Sequence, residues 1–318
     1  MSVPLDTKPM EAQAIGALPE GQGWLYEPKY DGFRCLAHVH GAQAHLRSKN
    51  RKALGRYFSE IVEALLEVPE GDFFLDGEII SPEGFEALQL RLHPAATRVQ
   101  ELSVRHPAKL VVFDIPERKT TSLLSQPLSE RRRKLEELMT KLGRSRTLTL
   151  GKSTHSIKTA RNWVGMQGLD GVMAKKLDLR YEPGKRAMKK YKVWKTVDCV
   201  IGGIYGKAGT RILDSLLLGL YDDHDLLHYV GWARIPPGGQ EMGELLRELE
   251  AGADFTGRKP GKRDRWGGGD RDYVPLTPVV VAEMWTDHIT DDFMRHGVRL
   301  LRFRQDKDPE NCRIDQIK

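Results

Sequence analysis

Cysteine is scarce in this chain: Cys35, Cys199 and Cys312 are the only three among 318 residues. They lie far apart, are odd in number and show no Cys-x-x-Cys spacing. That argues against a disulfide framework and a thiolate zinc module, and it fits a reducing compartment. Long apolar runs are missing too, and none approaches the roughly 20 residues that a membrane-spanning helix needs. The opening residues Met1-Ser2-Val3-Pro4-Leu5-Asp6 lack the basic-then-apolar order of a secretory signal. The expectation is a cytoplasmic chain without membrane contact. Charge leans one way: 50 Lys and Arg against 44 Asp and Glu give +6 and a pI near 9.1, which suits a polyanionic partner.

Periodicity divides the chain into two textures. Up to about residue 196 the pattern is mixed, with a hairpin across His40-Gly41 and buried strands at 73–80, 109–115 and 171–175. Amphipathic stretches at 57–66, 128–142 and 157–167 read as helices. The run Arg131-Arg132-Arg133-Lys134, inside the second of these, is expected to form a solvated face. Beyond 196 the sequence turns Gly-rich and β-dominated, with strands at 200–205, 213–221, 226–233, 279–285 and 300–304 and one helix at 239–251. The expected class is α+β: a first domain over 1–196, then a small β-barrel of the OB type over 197–318. The stretch 257–272 reads as a mobile basic loop.

Chemistry concentrates first in Glu27-Pro28-Lys29-Tyr30-Asp31-Gly32-Phe33-Arg34. A lysine two residues before an Asp-Gly turn can aim one amine at one phosphorus atom, with cations nearby for the developing charge. Alone, this pattern is an ordinary turn with a solvated lysine. Five segments follow it in order: Leu75-Asp76-Gly77-Glu78, Val111-Val112-Phe113-Asp114, Leu169-Asp170-Gly171 running to Lys175, Pro183-Gly184-Lys185-Arg186 leading to Lys190-Tyr191-Lys192, and Arg304-Gln305-Asp306-Lys307.

In these segments, across nearly its whole length, the chain resembles the covalent nucleotidyltransferase superfamily, and within it the small bacterial ATP-dependent DNA ligases of the C type. The resemblance implies an adenylation domain before the OB-type domain, and a lysyl-adenylate formed on Lys29 from ATP. It places Glu27 and Phe113 at the adenine, Arg34 at a nucleotide or nick phosphate, and Glu78 at ribose or metal. Asp170 would help to hold Mg2+ or Mn2+, Lys190 and Lys192 would contact the α-phosphate, and Arg304 with Lys307 would orient the leaving pyrophosphate. Two or three carboxylates suit magnesium better than any His/Cys set here suits zinc. The sequence departs from the family pattern at Lys49, where arginine is usual, at Asp170 for Glu, and at Met188 for an aromatic residue.

The partner implied is nicked duplex DNA, in a repair setting close to the nucleoid. Because the nucleophile lies so near the start, no separate DNA-binding domain is expected to precede it, and grip falls to Arg258, Lys259, Lys262, Arg263 and Arg265. A monomer is expected, recruited by a DNA-end-binding or repair polymerase protein. RNA ligase and mRNA-capping guanylyltransferase share several of the motifs, and an inert OB-type nucleic-acid-binding protein is the reading without catalysis.

Overall fold

The computed structural model describes residues 3–166, 168–192, 195–206, 213–235, 246, 249, 254–261, 273–286, 289–290, 292–294 and 298–318. The chain divides into two units, Met1–Val193 and Trp194–Lys318, and the architecture is mixed α+β.

Two sheets build the first unit. One contains β1 (Ala12–Ile15), β2 (Trp24–Tyr30), β9 (Leu169–Lys176) and β10 (Met188–Tyr191), in the order β1-β10-β9-β2. The other contains β3 (Phe33–His40), β4 (Gln43–Ser48), β5 (Phe73–Ile80), β6 (Lys109–Arg118) and β7 (Thr121–Ser122), in the order β4-β3-β5-β6-β7, with β8 (Leu148–Leu150) parallel to β6. The helices are α1 (Ser59–Leu66), α2 (Phe85–Arg91), α3 (Ala96–Arg105), α4 (Leu128–Leu142) and α5 (Ile157–Arg161). The main core forms where alternate residues of β5, Phe73, Leu75 and Ile79, meet Ile61 and Leu65 of α1 and Leu135 and Leu138 of α4.

Asp31-Gly32 does not close a hairpin. Strands β2 and β3 lie in different sheets, so the turn carries the chain from one sheet to the other. Glycine is required at the crossing, because a Cβ on Gly32 would stand 2.1 Å from the Ile79 carbonyl oxygen.

The expected solvated face of the arginine run is overturned. In α4 the buried residues include Leu128, Arg131, Leu135 and Leu138, spaced three, four and three apart, so Arg131 falls on the apolar stripe itself. Its guanidinium forks onto the buried Asp114 at 2.7 and 2.9 Å and donates to the carbonyls of Gln126 and Leu179. Those bonds make its burial tolerable. Arg132 is buried too, donating to Glu136 and the Gly151 carbonyl. Only Arg133 of these three points clearly outward.

Two helices are shorter than their periodicity predicts. The first begins at Ser59, after a 3-10 turn at Gly55–Tyr57, and α5 ends at Arg161 ahead of Gly165, whose φ is +79°. Strands β1, β8 and β10 are three or four residues long, too short for alternation to mark them, and α2 and α3 are not among the helices expected from sequence, although α3 is amphipathic.

The second unit contains β11 (Lys195–Gly206), β12 (Leu213–Tyr221), β13 (Leu227–Arg234), β14 (Val274–Pro275), β15 (Val281–Thr286), β16 (Ile289–Thr290), β17 (Phe293–Met294) and β18 (Arg299–Phe303). Hydrogen bonding runs β13-β12-β11-β15-β18, with β14 on β11 and the β16–β17 pair apart. Among the described residues this sheet is open: β13 and β18 are its two ends and do not pair, so no closed barrel is formed. Val200, Ile204, Leu216, Leu218 and Val230 are fully buried in its core. The helix expected over 239–251 lies outside the described residues except for Leu246 and Leu249, and Lys262, Arg263 and Arg265 also lie outside them. Among the described residues no helix is long and apolar enough to cross a membrane.

Candidate active site

In the first unit, one face of the β1-β10-β9-β2 sheet lines a cavity of about 440 Å³. Strand alternation decides which residues reach it. Ala14 pairs with Lys190, Lys190 with Met173 and Met173 with Glu27, which sets one row across four strands. Lys29 is two residues beyond Glu27 on the same face. The second sheet contributes Arg34 from β3, Glu78 from β5 and Phe113 from β6, and Lys49 enters just after β4. Seven residues singled out in the sequence, Glu27, Lys29, Arg34, Lys49, Glu78, Phe113 and Lys190, thus line one cavity.

Lys29 Nζ lies 2.5 Å from Asp170 Oδ2, and Lys192 Nζ lies 2.9 Å from the same oxygen. Register explains this: Lys29 is opposite Gly171, whose φ of +133° and whose 2.1 Å gap from a would-be Cβ to the Tyr191 carbonyl oxygen admit only glycine. Burial alone would raise the Asp170 carboxyl, but the two ammonium groups outweigh it and hold it below the ordinary value. Lys190 has no carboxylate partner among the described residues. Burial and the nearby charges of Lys29, Lys192, Lys49 and Arg186 depress its ammonium.

Arg34 is fixed by Asp76, Nε to Oδ1 at 2.5 Å and Nη2 to Oδ2 at 2.7 Å, while Tyr181 donates its hydroxyl to Asp76 at 2.6 Å. The guanidinium stands 4.8 Å from the Phe113 ring centroid, and Lys175 Nζ stands 4.5 Å from it. Phe113 is therefore a wall shared by two cations. Glu78, opposite Arg34 in the ladder, is pushed up to about 7 by burial, against the pull of Arg34 and Lys29. A carboxyl near 7 can hold or release a proton at neutral pH.

Glu27 is 2% exposed and lies 2.7 Å from Lys175 Nζ, with Arg132 Nη1 at 3.7 Å. Yet Glu27 Oε1, Arg132 Nη1 and Lys175 Nζ make no hydrogen bond within the chain. Buried polar atoms are rarely left so, and beside this cavity they are suited to the polar edge of a bound ring.

Glu78 and Asp170 offer oxygen donors of the kind magnesium takes. Among the described residues no group of three or more His, Cys, Asp or Glu gathers to hold a metal. Two carboxylates leave most positions of such an ion to waters and substrate oxygens, which is the coordination magnesium favours.

Arg304 and Lys307 belong to the second unit. There Asp198 of β11 draws them together, with Lys307 Nζ at 2.7 Å and Arg304 Nη1 at 3.2 Å, and Asp306 forks onto the other side of Arg304. Arg258 and Lys259 are not part of a free loop. Arg258 donates to the carbonyls of Tyr229 and Asp292, and Lys259 pairs with Asp254 at 2.6 Å.

Sequence reasoning gave no role to Glu11, Asp76, Lys175, Tyr181 or Asp198. Asp76 and Lys175 stood inside quoted motifs, and their strand parity with Glu78 and Met173 was the available signal. For Glu11, which stands just before the four-residue β1, no local signal was available.

Comparison with known proteins gives the site its context. A family model described as ATP dependent DNA ligase domain matches residues 9–193. DNA ligase C2 of Mycolicibacterium smegmatis is 37% identical over 335 residues, spanning 97% of this chain and 93% of that one. DNA ligase C of Mycobacterium tuberculosis is 36% identical over the same shares. The solved structure of mycobacterial DNA ligase D complexed with ATP and MES covers 97% of this chain and 98% of its own, with a TM-score of 0.51 and 23% identity, a likeness of fold. On sequence and family match together, this chain belongs to the ATP-dependent DNA ligases.

Proposed function

We infer that the protein seals nicks in duplex DNA by way of a lysyl-adenylate on Lys29 and a DNA-adenylate. The observation that carries this reading is the convergence of Lys29, Arg34, Glu78, Phe113 and Lys190 on one cavity. Lys29 Nζ would attack the α-phosphorus of ATP, forming an N–P bond as pyrophosphate leaves. The 5′-phosphate oxygen of the nick then takes the AMP, and the 3′-hydroxyl displaces it. Such transfers depend mainly on positioning and charge neutralisation, for which this cavity supplies cations on both sheets.

In this reading Phe113 stacks on the base, and its ring edge leaves Glu27 and Lys175 for the polar rim of adenine. Arg34 is held rigid by Asp76 for a phosphate. Bound Mg2+, held by Asp170 and Glu78 with substrate oxygens, would neutralise phosphate charge. In the free chain Lys29 Nζ is engaged by Asp170, and a nucleophile needs its lone pair aimed at the phosphorus, so this contact has to open before Nζ can attack. Arg304 and Lys307, on a second unit read as OB-type, serve the departing pyrophosphate.

The test is to incubate the protein with labelled ATP or GTP and magnesium, then with nicked DNA, RNA and mixed duplexes. Label from ATP on Lys29 and joining of nicked DNA are expected. Label from GTP would favour a capping guanylyltransferase, and joining confined to RNA strands an RNA ligase.

A further inference from the structure

Of the six cations lining the cavity, three have a buried or half-buried carboxylate partner: Lys29 has Asp170, Arg34 has Asp76 and Lys175 has Glu27, while Lys190 has none among the described residues. Lys49 and Arg186 differ. Both are more than half exposed and share one carboxylate, Glu11, at 3.2 Å from Lys49 Nζ and 3.7 Å from Arg186 Nε. All three line the cavity. The Glu11 backbone is pinned on both sides, its N–H donating to the Lys185 carbonyl at 2.8 Å and its carbonyl accepting from Met188 N–H at 3.2 Å. The carboxylate is thus stationed, while the cations it holds are long, solvent-reaching side chains free to turn toward another anion.

Resting on the nucleotide reading of this cavity, we propose that Glu11 is an internal stand-in for a substrate phosphate: it holds Lys49 and Arg186 until a phosphate group takes them over. The hydrogen bond from Lys49 and the charge of Arg186 keep the Glu11 carboxyl below its ordinary value, so it is ionised and able to compete at neutral pH. A polyphosphate or a phosphorylated strand end carries enough charge to displace a single carboxylate, and a neutral ligand does not. Glu11 thereby sets how much negative charge a ligand must bring. After a phosphate departs, it restores the pairing and lowers the tendency to rebind.

The experiment compares wild type with Glu11→Gln, which keeps the shape and both backbone bonds, and with Glu11→Ser as a second variant. One arm measures binding of ATP carrying a non-reacting α,β-methylene bridge, and of pyrophosphate, by calorimetry. The other measures nicked duplex with a 5′-phosphate or a 5′-hydroxyl by fluorescence anisotropy. Exposed ion pairs are weak, so the loss of two competing ones should tighten phosphate binding by about 3- to 10-fold at low salt. Adenosine should bind unchanged, and the gain should vanish in a Lys49→Met, Arg186→Met background. The arm in which the gain occurs identifies which phosphate Glu11 imitates. Unchanged or weaker binding in both arms, with wild type binding normally, overturns this proposal alone. A wild-type chain that binds neither probe and takes no label on Lys29 overturns the nucleotide reading and the proposal with it.

Discussion

Lys29 and Asp170 meet across the β2–β9 ladder, joined through Nζ and Oδ2, with Lys192 on the same oxygen. Because Asp170 retains Lys192, removal of the Lys29 amine does not strand a lone carboxylate. Lys29→Ala is expected to lower stability by less than about 1 kcal/mol and to abolish transfer of label from ATP. Joining of DNA supplied with a preformed 5′-adenylate should persist, since that step needs no lysyl-adenylate. Label that persists on the variant would remove Lys29 as nucleophile.

Glu78 carries a pH signature. Its carboxyl is raised from 4.5 to about 7 by burial, so the folded state holds this proton more tightly than the unfolded chain. The associated stability is complete below about 4.5 and is lost as pH rises through 7, by at most about 3 kcal/mol. Glu78→Gln keeps a neutral side chain at every pH. Its melting temperature should therefore gain on wild type between pH 5 and pH 8, and parallel curves would show that Glu78 is not held protonated.

Neighbouring arginines on α4 should behave oppositely. Arg131→Ala strands the buried Asp114 and should cost about 3–5 kcal/mol, whereas Arg133→Ala, losing exposed pairs to Glu130 and Glu137, should cost under about 1 kcal/mol. Denaturant titration of the two variants measures the difference directly.

That contrast marks how far the sequence could be read. The strands at 73–80 and 109–115 and the motif lysines were legible because alternation and motif order survive without tertiary context. Arg131 was not, since composition sends arginine to the surface and only the fold supplies Asp114 beneath it. Pairing across sheets was equally hidden: nothing local in Asp31-Gly32 says that β2 and β3 part company there. Glu11 was missed because its partners Lys49 and Arg186 are distant in sequence and meet it only after β1 joins β10.

Arg304 and Lys307 share Asp198 in the second unit, and the proposed function has them serve the departing pyrophosphate. Arg304→Ala or Lys307→Ala should slow adenylation by ATP at least about tenfold more than sealing of pre-adenylated DNA, since loss of a charged contact to a phosphate commonly costs 1.5–3 kcal/mol. Rapid-quench measurement of each step separates them. Equal losses would assign this motif to DNA binding or folding instead.

The basic stretch 257–272 divides into two kinds of residue. Arg258 is bonded to the Tyr229 and Asp292 carbonyls and Lys259 to Asp254, so these two cations already have partners inside their own unit. Lys262, Arg263 and Arg265 follow in the same run, which also holds Arg271 and the acids Asp264, Asp270 and Asp272. Each phosphate contact contributes about 0.9 to the slope of log affinity against log salt. Replacing Lys262, Arg263 and Arg265 together by alanine should lower that slope for nicked DNA by about 2–3 units, with self-adenylation unchanged. Arg258→Ala with Lys259→Ala should instead lower the melting temperature and leave the slope within about half a unit of wild type. Anisotropy titrations between 50 and 200 mM salt, within the range over which such contacts are lost, decide between the two. If the Arg258 and Lys259 pair shifts the slope as much as the other three residues, both side chains leave their carbonyl and carboxylate partners for DNA phosphates. The expected drop in melting temperature would then be offset on the complex, and a melt recorded with and without nicked duplex would show it.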